Sequence, residues 1–178
     1  MTIEEQFQLR VNSPSDINEH LETIKRYASD CEHITEMGVR WVVSTWALLA
    51  AKPKRLVSID IVQCAIQEAA TAAQAEGIDF EFVVADTSKP QLNIETTDLL
   101  FIDTWHVYDQ LKKEFQLHAD KVRKYIVLHD TTTFGEVGES GAHKGLWLAV
   151  EEFLAENQNW ILKERFTHNN GLTVLERV

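Results

Sequence analysis

The chain has 178 residues, 44% of which are apolar, and a formal net charge of −11 at neutral pH. This length and apolar content suffice for one hydrophobic core, so we expect a single domain over residues 1–178. The negative charge argues against a nucleic-acid partner, because most of the surface would repel a polyanion.

The cysteines and the apolar segments indicate a cytoplasmic protein. Cys31 and Cys64 have neither the spacing of a metal site nor that of a redox pair, so two buried free thiols are expected. The amino-terminal segment holds no basic stretch followed by an apolar one, as an export signal would. The longest apolar runs fall short of the ~20 residues that a membrane span requires, so no membrane association is expected.

The first predicted element is an amphipathic helix over about residues 13–29. The segment 13–16 (SPSD) supplies an N-cap acceptor, a proline for the first turn and an acidic side chain near the free amide groups. Apolar residues then repeat at helical spacing: Ile17, Leu21, Ile24 and Ala28.

Strand and helix patterns alternate after this leading helix. Strand patterns occupy residues 33–38, 54–60, 80–86, 98–103 and 124–130, and helical patterns lie between them at 40–51, 63–75 and 107–118. Several of the strands are nearly continuous apolar runs, as expected where helices cover both faces of a parallel sheet. The alternation predicts a doubly wound α/β fold with a Rossmann-like sheet.

The end of the chain departs from this alternation. The segment 131–145 contains four of the seven glycines and has no helical or strand period, which predicts a mobile loop. An apolar helix starts at about residue 146, and strand patterns follow at about 160–167 and 172–177. Because Asn170-Gly171 suits a tight antiparallel turn, we expect a mostly parallel sheet closed by a carboxyl-terminal antiparallel hairpin.

Acidic residues stand where the predicted parallel strands end. The strand ends read Glu36-Met37-Gly38, Asp60, Asp86-Thr87-Ser88, Asp103 and His129-Asp130. Ligands of open α/β sheets bind beyond the carboxyl ends of the strands. One acid at such a position is ordinary, but five successive strands that end this way indicate a ligand site.

Several segments resemble, in their order and spacing, the class I S-adenosylmethionine-dependent methyltransferases. They are EMGVRWVVS (36–44), VSID (57–60), VVADTS (83–88), FIDTWH (101–106) and VLHDT (127–131). Within that superfamily the chain is most similar to the small catechol O-methyltransferase-like and cephalosporin-hydroxylase-like enzymes. The resemblance implies methyl transfer to a hydroxyl oxygen of a small molecule. Residues 30–95 would bind the cofactor, and residues 96–178 would bind the acceptor and a metal.

The resemblance implies a cofactor-binding role for a set of strand-end and loop residues. The set is Glu36, Gly38, Ser44, Asp60, Asp86 and Thr87. Gly38 matches the loop glycine that lets the backbone approach S-adenosylmethionine, and Ser44 matches the serine that binds its methionyl carboxylate. Asp60 matches the acid that binds the ribose hydroxyls, and Asp86 matches the residue that reads the adenine amino group.

One position departs from the resembling pattern. The second loop glycine of the family falls at Val42, whose β-branched side chain disfavours a positive φ angle. Either this loop stays in helical geometry or the cofactor pocket is altered. The chain also has no G-x-G-x-x-G segment, which disfavours a nicotinamide dehydrogenase.

The resemblance also implies a divalent cation, Mg²⁺ or alternatively Mn²⁺. Asp103 and Asp130 end two neighbouring strands, and carboxylates about 5 Å apart repel each other unless a cation lies between them. His129 is a third candidate ligand, and its binding would shift the preference of the site toward Mn²⁺, Fe²⁺ or Zn²⁺. In an extended strand His129 and Asp130 point to opposite faces, so only one of them is expected to face the ion, and Asp130 is the better candidate because Mg²⁺ prefers oxygen.

His106 matches the position of the lysine base in catechol O-methyltransferase-like enzymes. An imidazole that titrates near neutrality can accept the hydroxyl proton, so Asp103 and His106 are the predicted catalytic pair. A histidine that contacts only backbone at a helix start is an equally good interpretation. Two other functions stay open: a methyltransferase without metal, and a non-catalytic module that binds S-adenosylmethionine. The sequence identifies neither the methyl acceptor nor the oligomeric state.

Overall fold

Seven strands make up a single sheet in the computed structural model, which describes all residues from Met1 to Val178. They are β1 (His33–Met37), β2 (Arg55–Asp60), β3 (Asp79–Val84), β4 (Thr97–Ile102), β5 (Val122–His129), β6 (Trp160–Phe166) and β7 (Leu172–Arg177). The strand order across the sheet is β3-β2-β1-β4-β5-β7-β6. Strands β1 to β5 are parallel, and β7 runs antiparallel to both β5 and β6. The predicted parallel sheet with a carboxyl-terminal hairpin is confirmed.

Helices cover both faces of this sheet. They are α1 (Ile3–Val11), α2 (Leu21–Ala28), α3 (Val43–Ala50), α4 (Gln67–Ala75), α5 (Tyr108–His118) and α6 (Leu146–Glu156). Helices α1 to α4 pack on one face, and α5 and α6 pack on the other. The doubly wound arrangement is therefore confirmed. None of these helices is long and apolar enough to cross a membrane.

Strand β4 shows why the central strands read as continuous apolar runs. All of its residues are buried. Leu99 and Phe101 face the core on the side of α1 to α4, whereas Leu100 and Ile102 face the core on the side of α5 and α6. A strand between two helical layers buries the side chains on both of its faces, so the alternation of a half-exposed strand is absent.

The helix predicted over residues 13–29 is shorter than expected. A 3₁₀ turn occupies Asn18–His20, and α2 begins only at Leu21. Ser15 Oγ accepts an amide hydrogen of that turn (3.0 Å). Ser13, the expected cap, instead ends α1, since its hydroxyl donates to a carbonyl of that helix (2.6 Å). The predicted start was wrong because the capping side chain belongs to the preceding helix.

Helix α1 was not predicted from the sequence. Its first turn carries a capping box, in which Thr2 Oγ1 accepts the amide hydrogen of Glu5 (3.2 Å) and the Glu5 carboxylate accepts that of Thr2 (2.8 Å). Ile3 and Phe7, four residues apart on one face, are buried in the core. The T-x-x-E spacing beside this apolar pair is the signal that could have predicted the helix.

The segment 131–145 is irregular, as predicted, but it is hydrogen bonded to itself. The Gly138 amide donates to the His143 carbonyl (2.9 Å), and the Gly145 amide donates to the Glu136 carbonyl (2.9 Å). A Cβ at Gly145 would lie 2.2 Å from a carbonyl oxygen on the opposite side of the loop, so the two sides are in close contact. The loop therefore folds back on itself after the end of β5.

The hairpin that closes the sheet turns at the predicted dipeptide. Asn169, Asn170 and Gly171 have φ angles of 43°, 67° and 96°. This is the left-handed region that asparagine and glycine tolerate best. A Cβ at Gly171 would lie 2.6 Å from the backbone nitrogen of Thr132, so the turn packs against the segment that follows β5.

Candidate active site

A cavity of about 730 Å³ opens at the carboxyl ends of the parallel strands. It lies beside the ends of β1 and β4, where the strand order reverses direction and open α/β sheets bind their ligands. Its acidic wall residues are Asp16, Asp60, Asp86, Asp103, Asp109, Asp130 and Glu139. Three basic residues, Arg40, Lys89 and Lys113, also line it, so the wall is predominantly negative.

Gly38 brings the loop after β1 against the end of β4. Its φ angle is 87°, and a Cβ at this position would lie 1.9 Å from the backbone carbonyl oxygen of Asp103. Both the backbone angle and the close contact therefore require glycine. Gly38 lines the cavity, as expected of the loop glycine that approaches a cofactor.

The same loop contains two residues with unfavourable backbone angles. Arg40 has a φ angle of 45° and Val42 a φ angle of 63°, both in the left-handed region. Of the two alternatives for this position, a loop that stays in helical geometry at Val42 is excluded, because the backbone adopts the left-handed shape of a glycine without the glycine. Such angles cost about 1 to 3 kcal/mol each. The Val42 side chain is buried in the core among α1 to α4 and does not enter the cavity, so core packing offsets part of this cost.

Asp60 holds this strained loop in place. Its Oδ2 accepts the amide hydrogens of Val39 (2.8 Å) and Arg40 (3.1 Å), and its Oδ1 accepts that of Val62 (3.1 Å). Burial alone would raise the pKa of Asp60, but these donors outweigh it and keep the pKa below its ordinary value. A carboxylate offers about four acceptor positions, so Asp60 retains capacity for a ribose hydroxyl. It lines the cavity at the predicted place.

Glu36 and Ser44 lie behind the cavity wall. Glu36 is fully buried and accepts hydrogen bonds from the hydroxyls of Ser44 (2.6 Å), Thr45 (2.9 Å) and Ser58 (2.5 Å). Burial raises the pKa of Glu36 to about 7 despite these donors. Neither Glu36 nor Ser44 lines the cavity, and the single hydroxyl proton of Ser44 is donated to Glu36. The structure thus corrects the expected direct cofactor contact: these residues brace α3 against β1 and β2.

Asp86 and Thr87 follow β3 and both line the cavity. Asp86 Oδ1 accepts hydrogen bonds from the amide (2.9 Å) and the hydroxyl (2.7 Å) of Ser88. These two bonds close a tight turn over residues 86–88. The hydroxyl of Ser88 lowers the pKa of Asp86 most, so its carboxylate is ionised. An ionised acceptor here is compatible with the predicted recognition of an amino group.

Glu114 on α5 is a buried carboxylate that the sequence reasoning missed. It accepts hydrogen bonds from the Thr87 hydroxyl (2.5 Å), the Gln110 amide (2.8 Å) and the Thr104 hydroxyl (3.0 Å). Burial raises its pKa to about 7. The carboxylate thereby joins the segments that follow β3 and β4. Its position three residues after the buried Leu111 places it on the core face of α5, which is the available sequence signal.

Asp103, His129 and Asp130 form a cluster at the ends of β4 and β5. One ligand atom from each lies within 4.8 Å of the other two. His129 Nδ1 lies 3.4 Å from Asp103 Oδ1 and 3.6 Å from Asp130 Oδ2. His129 Nε2 lies 3.1 Å from the backbone carbonyl oxygen of Asp16, which fixes the direction of the ring. The predicted metal-binding residues are thus brought together.

The backbone angle of Asp130 corrects the expectation that only one of the last two residues could face this cluster. His129 ends β5, but Asp130 has a φ angle of 61° and is no longer extended. The left-handed angle turns the Asp130 side chain to the same side as that of His129. The alternation rule for strands does not apply once the strand has ended.

Two buried atoms of the cluster have no hydrogen-bond partner: His129 Nδ1 and Asp130 Oδ1. Unpartnered buried polar atoms are rare and costly, which indicates that a ligand completes the site. The two carboxylates suit Mg²⁺, and the two carboxylates together with the imidazole suit Mn²⁺. The residues present therefore fit a divalent cation.

The His106 ring contacts both acids of this cluster. Its Nε2 is 3.1 Å from Asp103 Oδ1 and 2.9 Å from Asp130 Oδ2. Burial alone would lower the pKa of His106, but the two carboxylates outweigh it and raise that pKa to about 10. In this arrangement the ring keeps its proton at neutral pH, which corrects the expectation of an imidazole that titrates near neutrality. The interpretation of His106 as a backbone-contacting residue is also excluded, since both ring nitrogens face carboxylates.

Comparisons with known proteins agree on the fold. No protein-family model and no curated protein sequence matches the chain. Among solved structures, an O-methyltransferase from Bacillus cereus in complex with SAH is 15% identical, with a TM-score of 0.66 over 99% of this chain and 90% of that one. An O-methyltransferase from Streptomyces achromogenes involved in tomaymycin synthesis, in complex with SAM, is 18% identical, with a TM-score of 0.69 over 99% and 89%.

The chain has a Rossmann-like methyltransferase fold. The fold alone does not select the methylated atom. The N-methyltransferase NodS from Bradyrhizobium japonicum is 17% identical, with a TM-score of 0.64 over 91% of this chain and 96% of that one. Arguments about the acceptor must therefore come from the cavity and its side chains.

Proposed function

We propose that the chain transfers the methyl group of S-adenosylmethionine to a hydroxyl oxygen of a small molecule, with the help of a divalent cation. The observation that carries this proposal is the composition of the cavity. Gly38 and Asp60 line it together with Asp103 and Asp130, and His129 lies directly behind these two acids. Solved structures of the same fold in complex with SAM or SAH support the choice of cofactor.

The cofactor would occupy the half of the cavity beside β1, β2 and β3. Gly38 exposes backbone there, Asp60 offers a free acceptor position, and Asp86 offers an ionised carboxylate. The volume of about 730 Å³ falls in the range of small-molecule sites. The negative wall also favours a cofactor whose sulfonium carries positive charge.

The metal would be held by Asp103, Asp130 and His129, whose ligand atoms already converge. When bound, a divalent cation supplies positive charge that stabilises the deprotonated form of the acceptor oxygen. The chain itself supplies the alignment of the two reactants, which is the main requirement of an in-line methyl transfer.

His106 is placed to receive the proton of the acceptor hydroxyl at Nε2. It can do so only when Asp103 and Asp130 no longer hold the ring in its protonated form, because these carboxylates cause its raised pKa. Trp105, which directly precedes His106, lines the cavity with 50% of its surface exposed and offers an aromatic face to the acceptor. We propose that these two side chains define the acceptor site.

A methyltransferase without metal is the second candidate, and one observation favours it. The His106 ring lies between Asp103 and Asp130 at ion-pair distances, so a protonated imidazole could balance their charge without a metal. In that case Asp103 and His106 would orient and deprotonate the acceptor alone. The third candidate, a non-catalytic module, would bind the cofactor without transferring its methyl group.

Methyl transfer after metal removal separates these candidates. Chelator-treated protein is incubated with isotope-labelled S-adenosylmethionine and either catechol or methyl glucoside, with no metal, Mg²⁺ or Mn²⁺. We expect labelled product only when a cation is restored, and none from Asp130→Asn. Asp120→Asn, an exposed acid outside the cavity, controls for the lost charge. Full activity after chelation contradicts the metal proposal, and cofactor binding without any transfer supports the non-catalytic module.

A further inference from the structure

The loop from Thr131 to Gly145 packs against His106, the proposed base. The Glu139 amide donates to the backbone carbonyl of His106 (2.9 Å). A Cβ at Gly138 would lie 3.0 Å from the same carbonyl oxygen and 2.8 Å from that of Lys144, so a side chain here would force the loop to shift. The Tyr108 amide donates to the Lys144 carbonyl from the other side (2.9 Å). The loop is therefore joined to the segment after β4 by backbone contacts.

Two side chains of this loop hold the His106 ring. The Phe134 ring stacks on it, with centroids 4.8 Å apart and an interplanar angle of 9°. Glu139 Oε2 lies 3.1 Å from His106 Nδ1, the nitrogen that points away from the acidic cluster. The stacking on Phe134 restricts the plane of the ring. The Glu139 carboxylate determines which ring nitrogen faces the loop.

We propose that Glu139 is a positioning residue, which orients His106 so that Nε2 faces Asp103, Asp130 and the acceptor oxygen. This inference rests on the proposed function, because it assigns His106 the acceptor proton. A histidine has two chemically distinct ring nitrogens, and the hydrogen bond made by one determines what the other presents. Glu139 accepts the Nδ1 proton and thereby leaves Nε2 to the reacting side.

The alternative is an ordinary surface ion pair. The Glu139 side chain is 48% exposed, so its pairing with His106 contributes little to stability. The effect on the ring is larger: removing a partner that orients a metal-ligating histidine typically changes activity or affinity about 10- to 100-fold, and we expect a loss of the same order for the orientation of His106. A surface ion pair would leave both the stability and the activity nearly unchanged when Glu139 is replaced. A positioning residue would leave the stability unchanged and lower the activity.

The experiment compares Glu139→Ala with Glu139→Gln and with a matched control. The glutamine keeps an amide oxygen that can accept the Nδ1 proton, whereas the alanine does not. Glu136→Ala removes an exposed glutamate of the same loop whose side chain makes no contact with His106. In nuclear magnetic resonance spectra, the Nδ1 proton signal of His106 is assigned by its loss in His106→Gln. We expect this signal in the wild type, Glu139→Gln and Glu136→Ala, and its loss to solvent exchange in Glu139→Ala.

The kinetic measurement uses whichever of catechol or methyl glucoside is methylated. We expect Glu139→Ala to lower kcat by at least about tenfold, with the KM for S-adenosylmethionine within about twofold of wild type. Glu139→Gln should stay within about threefold of the wild-type kcat. A persistent Nδ1 signal in Glu139→Ala, or equal losses of kcat in Glu139→Ala and Glu139→Gln, would overturn the proposal. If neither acceptor is methylated, the proposed methyl transfer is contradicted for these two acceptors. The Nδ1 proton signal then still shows whether Glu139 holds the His106 ring.

Discussion

The buried carboxylate of Glu36 should make the stability of the protein depend on pH in a specific direction. Its pKa is raised from 4.5 to about 7, so the folded state binds this proton more tightly than the unfolded chain does. The resulting stabilisation is complete below pH 4.5 and is lost as the pH rises through about 7. For a fully buried group, the loss between pH 5 and pH 8 amounts to about 2 to 3 kcal/mol.

Glu36→Gln is the appropriate perturbation, because the amide has nearly the same shape and does not ionise. The Ser44, Thr45 and Ser58 hydroxyls that face it can rotate to donate or accept. We therefore expect the variant to gain about 2 to 3 kcal/mol relative to wild type when the pH is raised from 5 to 8.

Urea unfolding at both pH values measures this change as a difference between variant and wild type. Taking the difference removes the contributions of the other titrating groups, including the histidines. Glu22→Gln, on the exposed side of α2, is the control for removing one acidic group. A difference that stays constant from pH 5 to pH 8 would refute the assignment of Glu36 as a buried carboxylate with a raised pKa.

Further stability predictions follow from the backbone and the caps. Gly38→Ala should lower the free energy of unfolding by about 2 to 5 kcal/mol, since it adds left-handed strain and a contact with the Asp103 carbonyl; unchanged urea unfolding would contradict this. Thr2→Ala should cost about 1 kcal/mol by removing the cap of α1, and an unchanged midpoint would exclude that role. Arg40→Gly should stabilise by up to about 1 kcal/mol, because relief of the strained φ angle exceeds the entropy cost of glycine; clear destabilisation would argue against strain.

The sequence predicted the sheet well for a physical reason. Strands between two helical layers bury both faces, and their apolar runs stand out between helices with polar positions. The alternation of strands and helices along the chain and the hairpin at Asn170 and Gly171 followed from these runs and one turn signal. The bounds of the amino-terminal helices were harder to predict, because Ser13 resembles the N-cap of a following helix but ends the preceding one.

The sequence predicted where the candidate site lies in the fold, but not which side chains contact one another there. The rule that ligands bind beyond strand ends located Asp60, Asp103 and Asp130. It did not show that Glu36 lies behind the wall, because burial of a strand-end side chain depends on which face it occupies. The left-handed φ angle of Asp130 could likewise not be predicted, since the sequence pattern of a strand does not specify the backbone angles of the first residue after it.

Two of the three carboxylates that contact His106, those of Asp130 and Glu139, are distant from it in sequence. Its raised pKa comes from Asp103 and Asp130, and its other nitrogen contacts Glu139 in a loop 33 residues away. No local pattern predicts that these groups converge, because the packing of the loop against the end of β4 brings them together. This explains why the sequence marked His106 as a candidate base but did not predict its raised pKa.

Calorimetric titration with S-adenosylhomocysteine tests the central claim most directly. We expect wild type and Asp30→Ala, an exposed acid outside the cavity, to bind one equivalent with similar affinity. Asp60→Ala should bind about 10- to 150-fold more weakly, which corresponds to about 1.5 to 3 kcal/mol for a hydrogen bond to a charged group. No binding by the wild type, or an affinity of Asp60→Ala within twofold of wild type, would contradict the account of the cavity as a cofactor site.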